Sequence, residues 1–380
     1  MAFAITGARI FDGEAVLDGH AVVVDGGRIS SVVPVDSLEY AIERRPAEGL
    51  LAPGFIDVQV NGGGGVLFND ARSVEGIRAI GTAHRRFGTT GFLPTFITDT
   101  RKHMAGAVEA ARQAMQAAVP GMLGIHLEGP FLNPARKGVH DPAHMRPLED
   151  ADIRIMTSLG VGTTLVTLAP EMVPMDALSR LAEAGIIASA GHTAADYDTL
   201  QEARRRGLRG YTHLFNAMPP LMGREPGPVG AALDERETWC GLIADMHHVG
   251  APAMRIALAA KGVERMMLVT DAMSTTGSDI ASFELLGRTI FRRGGRLTTE
   301  DGTLAGSDLD MASAVRNCVR HLGVELGDAL RMASAVPAAF LRLDGELGCI
   351  ASGYRASLVL LDDALDVRGT WIDGVEEIAA

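Results

Sequence analysis

Short apolar runs alternate with longer stretches of helical spacing over most of the 380-residue chain. FIDVQVNG (55–62) is an apolar run ending in polar residues, and it predicts a buried strand. SVEGIRAIGTAHRRFG (73–88) repeats its apolar positions at threes and fours, and predicts an amphipathic helix. The alternation continues, with strands predicted at 91–98, 121–130, 163–170, 185–193, 210–218, 240–249 and 265–273. Helices are predicted at 101–118, 149–159, 174–184, 194–206 and 251–261, and long loops at 131–148 and 219–238. Eight strands separated by helices or loops predict a (β/α)8 TIM barrel, an α/β fold. Residues 1–50 differ, because short alternating runs and the Gly-Gly pair at 26–27 predict a hairpin-rich meander. Residues 283–306 look like a β-excursion, 308–342 are helical, and the tail after 346 returns to short strands. The expected organisation is a barrel of residues 51–345, with a small β-sandwich domain built from 1–50 and 346–380.

Composition narrows the class. Hydrophobic residues make up 47% and charged residues 22%, which suits a globular enzyme, and 45 glycines suit many short loops. A net charge of −12 argues against a general nucleic-acid binder or an anionic-membrane binder, but a few local donors can still hold one phosphate. Cys240, Cys318 and Cys349 form no motif, and the start MAFAITGARI lacks a basic, long-apolar leader. The expectation is a cytoplasmic protein with reduced thiols and no transmembrane helix, since no apolar run approaches ~18 residues.

The chemistry gathers at the C-terminal ends of the predicted strands, the face on which barrels carry their active sites. Glu128 closes GMLGIHLEGP, His192 closes GIIASAGHT, His213 lies in GYTHLFNAM, and Asp271 closes RMMLVTDAM. Glu128, His192 and His213 supply one oxygen and two nitrogens, a three-ligand set that leaves room for water, as catalytic metal sites do. Asp271 is expected to act as general base and then general acid. His126 alternates with Glu128 along its strand and is expected to support it from behind. NGGGG (61–65) is not followed by G-K-[ST], so it reads as a flexible loop after the first strand.

APGFIDVQVNG (52–62), HLEGPFLN (126–133), AGHT (190–193), THLFNAM (212–218), GREPG (223–227) and LVTDAM (268–273) together resemble the N-acetylglucosamine-6-phosphate deacetylase family of the amidohydrolase superfamily. The fragments run in order and the resemblance spans about residues 1 to 375. It implies a homodimer, a divalent metal (Zn2+ or Fe2+), and conversion of N-acetyl-D-glucosamine 6-phosphate and water to D-glucosamine 6-phosphate and acetate. His140 and His248 match the family's substrate-binding histidines. His140 would donate to the acetyl carbonyl oxygen, and His248, chosen over its neighbour His247, would hold a sugar hydroxyl or the phosphate. Backbone N–H groups at Asn216 and Ala217 and the guanidinium of Arg224 would hold the phosphate, Arg224 across a dimer interface. Leu304 and Met311 are apolar candidates against the sugar.

The chain departs from the wider superfamily at Gln59 and Asn61, which stand where many members place a His-x-His pair for a second metal. Carboxamides are poor ligands for zinc or iron, so one metal ion per subunit is expected. The alternatives are deacetylation of the galactosamine epimer, a cyclic-amide hydrolase, and a non-catalytic sugar-phosphate-binding barrel. The first leaves every named residue in place, the second wants the missing histidines, and the third would be favoured by loss of Asp271 or a metal ligand.

Overall fold

A computed structural model describes residues 2–378. Eight parallel strands form one sheet in sequential order: β1 Phe55–Val60, β2 Thr89–Ile97, β3 Gly124–Glu128, β4 Thr163–Leu168, β5 Ile187–Ala190, β6 Leu208–Tyr211, β7 Trp239–Leu242 and β8 Met266–Leu268. The edges meet just past the last strand, where Val60 bridges Ala272 and the Asp271 N–H donates to the Gln59 carbonyl at 3.0 Å. The sheet therefore closes into the expected barrel. Its strands are buried almost throughout, because both faces are covered.

Helices wrap the barrel and begin where the sequence supplies caps. Ser73 accepts from the Gly76 N–H to start α1 (Val74–Arg85), and Thr100 accepts from the His103 N–H to start α2 (Arg101–Gln116). α3 (Asp150–Thr157), α4 (Met175–Glu183) and α5 (Tyr197–Arg205) follow the next strands. The segment 219–238, expected as a loop, contains α6 (Gly227–Asp234). GPVGAALD has no polar stripe and is buried from Gly227 through Ala232, so neither amphipathic spacing nor propensity announces it. α7 (Ala251–Lys261) completes the set before β8, and residues 311–341 are helical as expected.

Two sheets lie outside the barrel. One, of residues 3–6, 20–25, 28–34 and 43–46, comes from the N-terminal segment alone. The other joins 9–11, 16–17 and 50–53 to 358–361, 367–372 and 375–378, so both chain ends share it. Phe3, Ile5, Ile10, Leu51, Leu358 and Trp371 pack as one buried cluster between them. The β-excursion is a four-stranded antiparallel sheet of residues 282–307, tied to the barrel where Ala272 bridges Ser307.

NGGGG is not a flexible loop. Gly62–Gly63 pairs with Val66–Leu67, and the N–H groups of Gly64 and Gly65 donate to the carbonyls of Thr276 and Ser274 at 2.8 Å each. A Cβ on Gly62 would fall 2.4 Å from the Val66 carbonyl oxygen. The glycines permit close backbone approach here and pin the hairpin down.

Candidate active site

A cavity of about 410 Å3 opens at the C-terminal mouth of the barrel. Its lining includes Glu128, His140, His192, His213, Asn216, Ala217, His248, Asp271 and Leu304, all sites expected from sequence. Glu128 is the last residue of β3, whereas His192, His213 and Asp271 lie just beyond β5, β6 and β8. Those three take positive φ values of 48°, 32° and 53°, and Ala217 follows at 53°. Left-handed backbone is uncommon for residues with a Cβ, and its concentration here marks a strained functional rim. Glu171 ties the loop after His192 to the loop after Glu128, accepting from Thr193 Oγ1 and the Ala194 N–H at 2.6 Å and from Asn133 Nδ2 at 2.9 Å.

Three donor atoms converge. Glu128 Oε1 lies 3.2 Å from His192 Nε2 and 3.0 Å from His213 Nε2, and the two nitrogens are 3.1 Å apart. The His192 Nδ1 is 2.8 Å from the Arg136 carbonyl. A carbonyl can only accept, so Nδ1 carries a proton and Nε2 is the ring atom turned to the shared focus. Burial opposes ionisation of Glu128, but its contacts with His192 and His213 outweigh it and hold the carboxyl well below the usual range. Burial likewise opposes a charge on His213, yet the contact with Glu128 pushes that imidazole up. A divalent cation satisfies all three atoms at once. Their separations of 3.0–3.2 Å are short enough for one ion to be shared by all three.

His140 stands beside this cluster, with one ligand atom each of Glu128, His140 and His192 within 4.8 Å of the others. The Thr98 hydroxyl lies 2.8 Å from His140 Nδ1, and the Thr98 backbone N–H donates to the same atom at 3.4 Å. A backbone N–H can only donate, which assigns Nδ1 as acceptor and leaves the proton on Nε2. Burial, with His192 beside it, pushes the His140 pKa down to about 3, so the ring is neutral. His140 is thus a fixed N–H donor at the cavity wall.

Asp271 is half-buried at the cavity wall, and loss of solvent followed by the charge of Glu128 pushes its pKa up to about 7. Asn61 Nδ2 donates to its Oδ1 at 2.6 Å and Gln59 Nε2 donates to the same oxygen at 3.2 Å. His248 is held by Asp245, whose Oδ2 lies 2.7 Å from His248 Nδ1 and whose Oδ1 accepts the His247 and His248 N–H groups at 2.8 Å. His247 takes its Nδ1 to Arg296 Nε at 3.1 Å instead, so only His248 lines the cavity. Sequence reasoning missed Asp245 and Thr98; the D-x-x-H spacing of 245–248 was the one available signal. His126 sits in the barrel interior between Thr95 Oγ1 at 3.1 Å and Thr167 Oγ1 at 2.8 Å, below Glu128. Met311 belongs to the hydrophobic core and not to the cavity wall. Arg224 is exposed in the loop after His213 and lies outside the cavity lining of the single chain.

An eight-stranded barrel with converging carboxylate and imidazole donors and a second carboxylate beside them defines a metal-dependent hydrolase. Comparison with known proteins agrees. Residues 50–376 match the amidohydrolase family and residues 2–51 the NagA composite domain. An N-acetylgalactosamine-6-phosphate deacetylase of Shewanella sp. (strain ANA-3) is 42% identical over 97% of this chain and 94% of its own. An N-acetylglucosamine-6-phosphate deacetylase of Haemophilus influenzae is 34% identical over 98% and 99%. The crystal structure of N-acetylglucosamine-6-phosphate deacetylase from Pasteurella multocida superposes with a TM-score of 0.96 at 36% identity, over 100% of both chains. A Mycobacterium smegmatis deacetylase mutant in complex with N-acetyl-D-glucosamine-6-phosphate gives 0.91 at 31% identity, over 99% of each chain. The chain belongs to the amidohydrolase family and is an enzyme of that family, whose members imply a divalent metal.

Proposed function

We propose that this enzyme hydrolyses the acetamide of N-acetyl-D-glucosamine 6-phosphate to give D-glucosamine 6-phosphate and acetate. The observation that carries the reading is the convergence of Glu128, His192 and His213 within 3.2 Å, beside Asp271 in one cavity. A cavity of about 410 Å3 suits a hexosamine phosphate. Glu128, His192 and His213 would hold one divalent ion, zinc or ferrous iron. When bound, it supplies a Lewis acid that polarises the carbonyl and acidifies water.

The chain's own residues do the rest. The His140 Nε2–H donates to the acetyl carbonyl oxygen and stabilises the charge that develops there. Asp271 takes a proton from the attacking water as the C–O bond forms, then delivers it to the nitrogen as the C–N bond breaks. Its raised pKa of about 7 suits both halves of that transfer. His248, oriented by Asp245, meets the sugar or its phosphate, and Leu304 covers the apolar face. The Ala217 N–H meets the phosphate beside Asn216, whose own N–H is turned to the His213 carbonyl at 2.9 Å, with Arg224 reaching it from a second subunit of a homodimer. Residues 1–50 with 346–380 form the small domain and 51–345 the catalytic one. A phosphorylated sugar, trapped within cells by its charge, makes the cytoplasm the fitting compartment.

The 42% identity to an N-acetylgalactosamine-6-phosphate deacetylase favours a second reading, the same chemistry on the C4 epimer. A non-catalytic sugar-phosphate sensor fits poorly, because the proton shuttle and every ligand are in place. Acetate release from the two N-acetylhexosamine 6-phosphates, measured with metal content, decides among the three. Turnover of the glucosamine epimer at the higher kcat/KM supports the first reading. The reverse preference supports the second, and no release from either substrate overturns both.

A further inference from the structure

Gln59 and Asn61 have so far counted only as missing ligands, yet the structure gives both a positive task. The Asn61 Nδ2 donates to Asp271 Oδ1 at 2.6 Å. The Gln59 Nε2 lies 3.2 Å from that oxygen and 3.3 Å from each oxygen of Glu128. Asp271 Oδ1 thus accepts two amide donors, while Oδ2 has no hydrogen bond among the described residues. Both amides are fixed by the barrel seam. The Asn61 N–H donates to the Ala272 carbonyl at 2.9 Å, and the Gln59 carbonyl accepts the Asp271 N–H at 3.0 Å. Gln59 and Asn61 are 1% and 4% exposed, so neither carboxamide has room to wander.

We infer that the two carboxamides form a bracket that positions Asp271 for proton delivery and keeps its carboxylate apart from Glu128. The inference rests on the deacetylase reading. Two carboxylates side by side at the cavity wall repel, and an amide donor between them offsets that repulsion without bringing a charge of its own. Tying one oxygen leaves the other as the single site that gains and loses the proton. An imidazole pair in the same places would compete for the metal, so the amide pair also keeps Glu128, His192 and His213 as one closed set. Gln59 and Asn61 are positioning residues in this account, because they act through Asp271.

The two residues separate experimentally. Asn61 touches only Asp271 with its donor, whereas Gln59 also touches the metal-ligating Glu128. The test compares the acetamide substrate with its 2-O-acetyl ester analogue, whose alkoxide leaves with far less need of a proton. Asn61→Leu keeps the branched skeleton and drops the donor. It is expected to lower kcat on the amide roughly ten- to a hundredfold, the range a lost charge-assisted bond gives. The ester should slow at least several-fold less, and metal content and the melting temperature of the metal-free protein should stay near wild type. Asn61→Ser, which restores a donor, should recover part of the amide rate. Gln59→Met should lower amide turnover and metal content together. Equal slowing of amide and ester by Asn61→Leu, or no slowing of either, overturns the bracket. Absence of activity in the wild-type enzyme on both hexosamine phosphates would instead overturn the deacetylase reading, so the two failures look different.

Discussion

At the scale of single residues, the site is a set of atoms whose charges require one another. Glu128, His192 and His213 place one oxygen and two nitrogens around a shared point, and the tautomer of His192 is set by the Arg136 carbonyl. One full-occupancy divalent ion per chain is the expected result of elemental analysis, and two would contradict a site with amides at 59 and 61. Glu128→Gln should lose most of that metal, because it replaces the only anionic donor of the triad. Asp271→Asn keeps the shape and both amide contacts on one side but cannot shuttle a proton. It should lower kcat by ~10²–10⁴-fold while leaving substrate affinity close to normal. Near-normal steady-state turnover of that variant would assign the proton transfer to another group.

At the scale of elements, what positions these atoms is strand pairing, and glycine makes the pairing possible. Gly124 begins β3 at a φ of 154°, and a Cβ there would lie 1.9 Å from the Thr163 carbonyl oxygen. Gly124→Ala must therefore push β3 from β4, four residues before Glu128. A loss of about 3 kcal/mol or more in denaturant stability is expected, the size of a severe packing lesion. A variant within 1 kcal/mol of wild type would mean the strands tolerate the shift. The barrel seam gives a second test. Asp57 accepts from Thr270 Oγ1 and from the N–H groups of Gln59 and Thr270, and burial pushes its pKa up to about 7. Its folded value lies above the unfolded value of about 3.9. Its contribution to stability is therefore fully present below about pH 4 and is lost as pH rises through about 7. Thermal melts of the metal-free protein from pH 5 to 8 should show this decline, and Asp57→Asn should flatten part of it; an unchanged slope would rule Asp57 out as its source. The eight strands were legible because each is a short, mainly apolar run set off from its neighbours by helical or loop stretches. Glu128, His192, His213 and Asp271 were legible because they stand at the ends of those runs. The helix 227–234 was not legible, since a segment buried on all sides carries no period. Asp245 and Thr98 were not, because their value lies in what they orient, and their partners come together only in three dimensions.

At the scale of the whole molecule, the unresolved question of chemistry is how a chain of net charge −12 holds a phosphate dianion. Long-range attraction is excluded by sign, so affinity must come from fixed local donors. The cavity of the single chain offers the backbone N–H of Ala217 and the Asp245-held His248, while the Asn216 N–H is taken by the His213 carbonyl at 2.9 Å. Arg224, the only cation in the segment 219–235, is exposed and outside that cavity, beside the exposed apolar pair Leu221 and Met222. An exposed guanidinium next to exposed apolar side chains suits a contact with a second subunit, which would bring Arg224 to the neighbour's phosphate. A charge-assisted bond contributes roughly 1.5–3 kcal/mol, so Arg224→Ala should raise KM for the 6-phosphate substrate by about one to two decades. The slow reaction of the unphosphorylated N-acetylhexosamine should barely change. Mixing Arg224→Ala with Asp271→Asn subunits then reads the geometry directly. If the arginine serves the neighbouring site, a mixed dimer has one site with both residues intact and one with neither, and part of the activity returns. No recovery on mixing places the contact within one subunit, and equal losses on phosphorylated and unphosphorylated sugars remove Arg224 from the phosphate altogether.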